Sequence, residues 1–242
     1  MHITDRDPAA FEDYAGMIKC GTVYPLSMTQ GYQGGDIYTN GRAVLFHHDC
    51  GFAFLAGETD ESTLEEVFSL MQKSSRRLVL FSEHSTVTDF FDAKPGICTD
   101  MRYFYTYSGS KPYLLPDGYS VKRIDSSIAE RLEGRITPSF SWKGDFLSKG
   151  AGFAVMHGEE AASWAFSAAV SDTETDIGVE TAEKYRGQGL ASVAAAAMAE
   201  YILSTGRSPV WACHCKNTAS QRLAERSGFV RTAECVTIVT KD

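Results

Sequence analysis

The chain has 242 residues, of which 43% are hydrophobic and 22% charged, the composition of a globular protein with room for one large domain or two ordinary ones. A formal net charge of -8 and the lack of any basic run exclude a protein that binds phosphate backbones, so no nucleic-acid partner is expected. No stretch reaches the roughly 18 consecutive apolar residues of a membrane helix, and residues 1–8 hold no apolar targeting core. A cytoplasmic protein without a membrane partner is the expectation. The six cysteines are scattered rather than arranged as the framework of a small secreted domain, which predicts reduced thiols.

Asp7-Pro8 predicts a helix start, with Asp as N-cap and Phe11, Tyr14 and Ile18 on one face, ending near Gly21. Val44-Leu45-Phe46 and Phe52-Ala53-Phe54-Leu55 read as two strands of a hairpin whose tip lies near Asp49 and Cys50. Leu64, Val67, Phe68 and Met71 mark an amphipathic helix. A buried strand at 78–81, a short helix at 87–91 and an aromatic strand at 101–107 follow.

The turn-rich stretch from Lys111-Pro112 to Pro116-Asp117-Gly118 is the natural boundary, giving an N-terminal α/β unit over 1–112 and a second unit over 113–242. Beyond it the pattern predicts a strand at 119–124, short helices at 126–132 and 142–148, a hairpin of 152–156 with 163–167, and a strand at 176–181. A glycine loop then leads into a long helix, 190–204, stopped by Gly206. A strand at 209–215, a helix opened by Asn217-Thr218 and closed by Gly228, and a last strand at 236–239 complete the chain, with no visible internal repeat.

The informative segment is Arg186-Gly187-Gln188-Gly189-Leu190-Ala191 between a strand and a helix. Free backbone N–H groups and the helix dipole make such a junction an anion site, and glycines remove side chains that would block a pyrophosphate; any tight strand-to-helix turn also favours glycine. A P-loop needs Lys-Ser/Thr where Leu190-Ala191 stand, and a dinucleotide fingerprint needs an acid where Ser208-Pro209-Val210-Trp211 stand. Neither fits.

The order strand, Tyr-Arg-Gly-Gln-Gly-Leu-Ala, helix, strand, Asn, helix, Gly-Phe, running from Glu180 to Phe229, resembles the GNAT superfamily of acetyl-CoA-dependent transferases. The family's loop pattern R/Q-x-x-G-x-G/A is filled by Arg186, Gly189 and Ala191. The resemblance implies an α/β fold with a GNAT-like mixed sheet flanked by helices, preceded by a smaller α/β unit on the substrate side, as in two-part members of the superfamily. It implies that acetyl-CoA is the co-substrate, held by Val179, Thr181, Arg186, Gly187, Gln188, Gly189, Leu190, Ala191 and Asn217, with no metal. The acceptor it implies is the primary amine of a small molecule or peptide.

It further implies direct transfer in a ternary complex, with a backbone N–H from 178–181 as oxyanion donor. Glu180 is the candidate base, or else a solvent-facing or ion-paired carboxylate; strand alternation alone does not choose. Where the family often has a tyrosine after Leu223, this chain has Ala224, so either Ser220 or water protonates the leaving thiolate, or the protein is a non-catalytic acyl-CoA sensor; the other reading of Ser220 is a residue that serves the helix start or binds cofactor. Cys213-His214-Cys215 reads as buried strand cysteines rather than a metal site, because alternation turns His214 away from both thiols. His47-His48 reads as hairpin polarity, Trp142 as burial against the hairpin, and the alanine run 194–197 as close helix-to-sheet packing.

Overall fold

The computed structural model describes residues 1–109 and 111–241. It separates into two compact units, Met1–Phe104 with His214–Lys216 and Ala233–Asp242, and Tyr105–Cys213 with Asn217–Thr232. The boundary expected at residue 112 therefore falls inside the second unit, and the end of the chain returns to the first.

The first unit begins with β1 (His2–Ile3), a 3-10 turn (Pro8–Phe11), α1 (Glu12–Gly16) and α2 (Val23–Thr29). Asp7 does cap this start, its Oδ1 accepting from the N–H of Ala9 at 3.1 Å, but the single helix expected up to Gly21 is a 3-10 turn followed by α1, and α2 begins beyond its expected end. The break lies between Gly16 and Gly21, the latter at φ +75, where an L side chain is strained. Next come β2 (Gly35–Thr39), β3 (Ala43–His48), β4 (Phe52–Gly57), α3 (Glu61–Lys73), β5 (Val79–Ser82), α4 (Ser85–Asp92) and β6 (Ile97–Tyr107).

β1, β2, β3 and β4 run antiparallel in that order, and β4 pairs parallel with β5. Alternation along the strands divides the core. Val44, Phe46, Ile37 and Ala56 meet Phe11, Ala15 and Met28 of the first helices, whereas Leu45, Ala53 and Leu80 meet Leu64, Val67 and Met71 of α3 and Val87 and Phe91 of α4. His47 and His48 are buried in β3, contrary to the expectation of a polar hairpin end. His47 Nε2 lies 2.9 Å from the carbonyl of Arg77, and burial holds its pKa below the usual value.

The second unit holds β7 (Tyr119–Arg123), α5 (Ser126–Ala129), α6 (Phe146–Lys149), β8 (Gly152–His157), β9 (Glu160–Val170), β10 (Glu174–Thr181), α7 (Leu190–Ser204), β11 (Ser208–His214) and α8 (Thr218–Arg226). β7 through β10 are antiparallel neighbours, and β10 pairs parallel with β11. Ala194, Ala195 and Ala199 of α7 are fully buried, and the helix lies against β8, β9 and β10. Trp142 falls between short helical pieces rather than inside a helix, and its Nε1–H donates to the carbonyl of Ser167 at 2.7 Å.

The last strand, β12 (Phe229–Thr240), returns to the first unit, where Val236, Thr237 and Ile238 pair antiparallel with Ser82, Phe81 and Leu80 of β5. The element order strand, two helices, three strands, helix, strand, helix, strand thus occurs twice, from β1 to β6 and from β7 to β12. The sequence shows no repeat, but the fold does.

Phe91 is fully buried between α3, α4 and the strands they cover. Phe91→Ala is expected to lower the stability of the first unit by about 3–5 kcal/mol, read from urea unfolding of the purified chain.

Candidate active site

β10 and β11 pair over three residues, Glu174↔Ser208, Thr175↔Pro209 and Asp176↔Val210, and this register goes no further. A bulge at Asp176/Ile177, in the pairing of β10 with β9, marks the point of departure. Parallel strands that part leave alternate backbone groups of each facing a gap. Here the gap opens into a cavity of about 640 Å³.

The residues that the resemblance implies for acetyl-CoA, together with Glu180 and Ser220, all line this cavity. Val179, Glu180 and Thr181 come from the end of β10, Arg186 to Gly189 from the loop, and Leu190 and Ala191 from the first turn of α7. Asn217 and Ser220 come from the start of α8.

Gly187 and Gly189 both have φ +80, a left-handed backbone that explains two glycines in one tight loop. A Cβ built on either meets nothing within 4 Å, so the space above them is open. Gly189 is the N-cap of α7 and supplies no side-chain cap. Leu190 and Ala191, the first residues of that helix, line the cavity without a side-chain cap on their N–H groups and with the positive end of the helix dipole behind them. α8 differs, because the Asn217 Oδ1 accepts from the Ser220 N–H at 3.1 Å and satisfies its own helix start. The loop is braced by the Tyr119 hydroxyl, which donates to Gln188 Oε1 at 2.7 Å, and by Arg186 Nε, which donates to the Thr181 carbonyl at 3.3 Å.

Glu180 Oε2 accepts from the Ile136 N–H at 2.5 Å. The α5–α6 loop comes this close because residue 134 is glycine; a Cβ there would lie 2.5 Å from Oε2 and 2.9 Å from Oε1. One face of the carboxylate is thus tied to a loop whose residues Arg135 and Ile136 line the same cavity. Ser220 Oγ accepts from Trp211 Nε1–H at 3.0 Å, an arrangement that leaves the hydroxyl proton for another partner. Ala224 is fully buried. Tyr185, whose hydroxyl donates to Glu160, has its pKa raised by that hydrogen bond and stays protonated.

The lining carries Arg135, Arg186 and Arg226 against the single carboxylate of Glu180, reversing locally the acidic balance of the chain. Arg135 and Arg226 were not found from sequence. Arg226 was findable, because Ser220, Leu223 and Arg226 recur every third residue along one side of α8. Arg135 carries no local signal, since it reaches the site only through the fold of its loop.

Away from this cavity, Asp100 of β6 joins the Cys-His-Cys segment, with its Oδ2 3.2 Å from His214 Nε2 and its Oδ1 accepting from Cys215 Sγ at 3.0 Å. The Lys216 ammonium pairs with the same carboxylate. That hydrogen bond, with those from Cys215 and the Met101 N–H, holds Asp100 well below the usual carboxylate range. His214 therefore does not stand apart from Cys215 as strand alternation suggested: the end of β11 brings both to one carboxylate, and a lysine supplies the cation.

Comparison with known proteins gives a consistent result. A sequence model described as GNAT acetyltransferase matches residues 22–238. A protein of Bacillus subtilis (strain 168), named as the uncharacterized N-acetyltransferase YdfB, is 30% identical over 214 residues, covering 82% of this chain and 81% of its own. A GCN5-related N-acetyltransferase-like protein from Streptococcus suis 89/1591 has the same fold, with a TM-score of 0.76 at 22% identity over 97% of this chain and 98% of its own. A tandem GNAT protein from the clavulanic acid biosynthesis pathway has a TM-score of 0.64 at 11% identity over 98% of this chain and 95% of its own. With the family's sequence pattern matched over most of its length and the family's loop at the mouth of the cavity, the chain belongs to the GNAT acetyltransferase family.

Proposed function

We propose that the chain transfers an acetyl group from acetyl-CoA to the primary amine of a small molecule or peptide, by direct attack with both substrates bound. The observation that carries this reading is the uncapped start of α7, with two left-handed glycines before it and arginines beside it, at the mouth of a gap between parted strands. An uncapped helix start with guanidinium groups nearby suits a pyrophosphate, which backbone N–H groups and bidentate arginines both bind well. Gly187 to Ala191 with Arg186 would hold the phosphates, and Val179, Thr181 and Asn217 the thioester arm. Bound acetyl-CoA supplies the activated thioester.

Glu180 would take the amine proton, its Oε2 anchored by Ile136 so that the carboxylate keeps one orientation. Backbone N–H groups between Gly178 and Thr181, beyond the last pair with β11, are the candidate donors to charge developing on the carbonyl oxygen. Ser220 is the candidate for returning a proton to the sulfur, since Trp211 donates to its oxygen and leaves its proton unspent. The alternative, an acyl-CoA-binding sensor without turnover, draws on the small buried Ala224 where the family often has tyrosine.

Acetyl-CoA titrated into the wild-type chain should bind saturably, and Gly189→Glu should weaken it by roughly 100-fold or more, because a carboxylate then faces the pyrophosphate. Absence of binding by folded wild type would remove the transferase reading altogether. Glu180→Gln should keep acetyl-CoA affinity and lose about 10²–10⁴-fold in kcat against whichever amine is turned over. If acetyl-CoA binds but no amine in a broad panel is acetylated, the sensor reading replaces it. Gly134→Ala is expected to leave the thermal midpoint nearly unchanged, since only the end of a flexible side chain must move, yet to lower kcat by displacing Glu180.

A further inference from the structure

The first unit repeats the device that forms the cavity of the second. β4 and β5 pair in parallel over three residues, Phe52↔Val79, Ala53↔Leu80 and Phe54↔Phe81, and this register ends there, as that of β10 and β11 does. The gap beyond holds its own cavity of about 240 Å³. Corresponding elements line it: the loop after α1 through Met17 and Cys20, the end of β4, the end of β5, and the start of α4 through His84 and Thr86.

The chemistry of this second gap is opposite. Where the four residues before α7 read Arg-Gly-Gln-Gly, the four before α3 read Gly57-Glu58-Thr59-Asp60. The Asp60 Oδ1 accepts from the Thr63 N–H at 2.8 Å, so this helix start is closed by a side chain of its own. Arg42 pairs with Glu58 and Asp60, and a phosphate would have to displace both carboxylates. No lysine or arginine lines the cavity; its one acidic group is Glu83, which among the described residues makes no ion pair and is approached by the Cys20 thiol at 3.6 Å. Phe54 and Phe81, stacked with ring centroids 5.0 Å apart, give an apolar floor, and Ser82, Thr59 and Thr86 bring hydroxyl oxygens. A carboxylate with no cationic partner, an apolar floor and hydroxyl acceptors together match an alkyl chain ending in an ammonium group.

We propose that the gap between β4 and β5 is a second small-molecule site, which takes an organic cation bearing a primary ammonium on Glu83 and refuses acyl-CoA. The first unit thus keeps the cleft of a transferase fold with its charge inverted, so that one chain has one acyl-CoA site and one ammonium site.

Calorimetric titration with pentane-1,5-diamine as the probe tests this, using the full chain and four proteins: wild type, Glu83→Gln, Thr86→Arg and Glu180→Gln. Saturable binding is expected in wild type and in Glu180→Gln, weakened at least tenfold in Glu83→Gln and in Thr86→Arg, with no binding of neutral pentane-1,5-diol. Acetyl-CoA should bind at one equivalent per chain in wild type and in Glu83→Gln alike. Thr86 is exposed, so Thr86→Arg decides the matter should Glu83→Gln misfold. Diamine binding that is absent in wild type, unchanged in both first-unit variants, or lost only in Glu180→Gln overturns the proposal, as do two equivalents of acetyl-CoA. The diamine arms do not depend on the acetyl-CoA arm, so failure of the acetyltransferase reading shows separately as lost acetyl-CoA binding.

Discussion

A parallel strand pair that stops after three residues is the constraint on which the site depends. Two strands that remained paired would satisfy each other's backbone groups and leave no room between them. Because β10 bulges at Asp176/Ile177 and β11 continues without it, the groups beyond are turned toward a cavity, and the crossover helix α7 starts at its mouth. Position, dipole and free N–H groups then come together from backbone geometry, with side chains needed only to tune charge.

The tuning is visible in what each helix start does with its N–H groups. Asp60 closes α3 and Asn217 closes α8, whereas Gly189 leaves α7 open. A glycine at the helix start forgoes roughly 0.3 kcal/mol of the helix stability that a side-chain cap would supply. That cost is tolerable here because α7 is held by tertiary packing, with Leu190, Val193, Ala194, Ala195, Met198 and Ala199 all buried against the sheet. The alanine-rich face that lets the helix lie close to its strands thus also leaves its first turn free for the proposed acyl-CoA site.

Glu180 illustrates how a single carboxylate acquires a defined orientation. Its partner, the Ile136 N–H, lies 44 residues earlier, and only a glycine at 134 lets that loop approach. Neither residue shows any pattern around it that would mark it as part of a site. The same holds for Asp100, which meets His214, Cys215 and Lys216 only when β6 and the end of β11 have been brought together.

The sequence by itself determined the elements with strong periodicity or punctuation: the helices at 61–73 and 190–204, the hairpin around Gly51, and the strand, glycine loop and helix that carry the proposed acyl-CoA site. Those signals are local, because hydrophobic period and φ-positive glycines act within a few residues of themselves. The tertiary structure alone decided what was joined over distance: Glu180 with the loop of Gly134, Arg135 in the cavity lining, the buried histidines of β3, and the return of β12 to the first unit. It also decided that the two halves share one order of elements, which their residues do not show. A strand order depends on which backbone edges meet, and many unrelated apolar sequences pack equally well around the same edges.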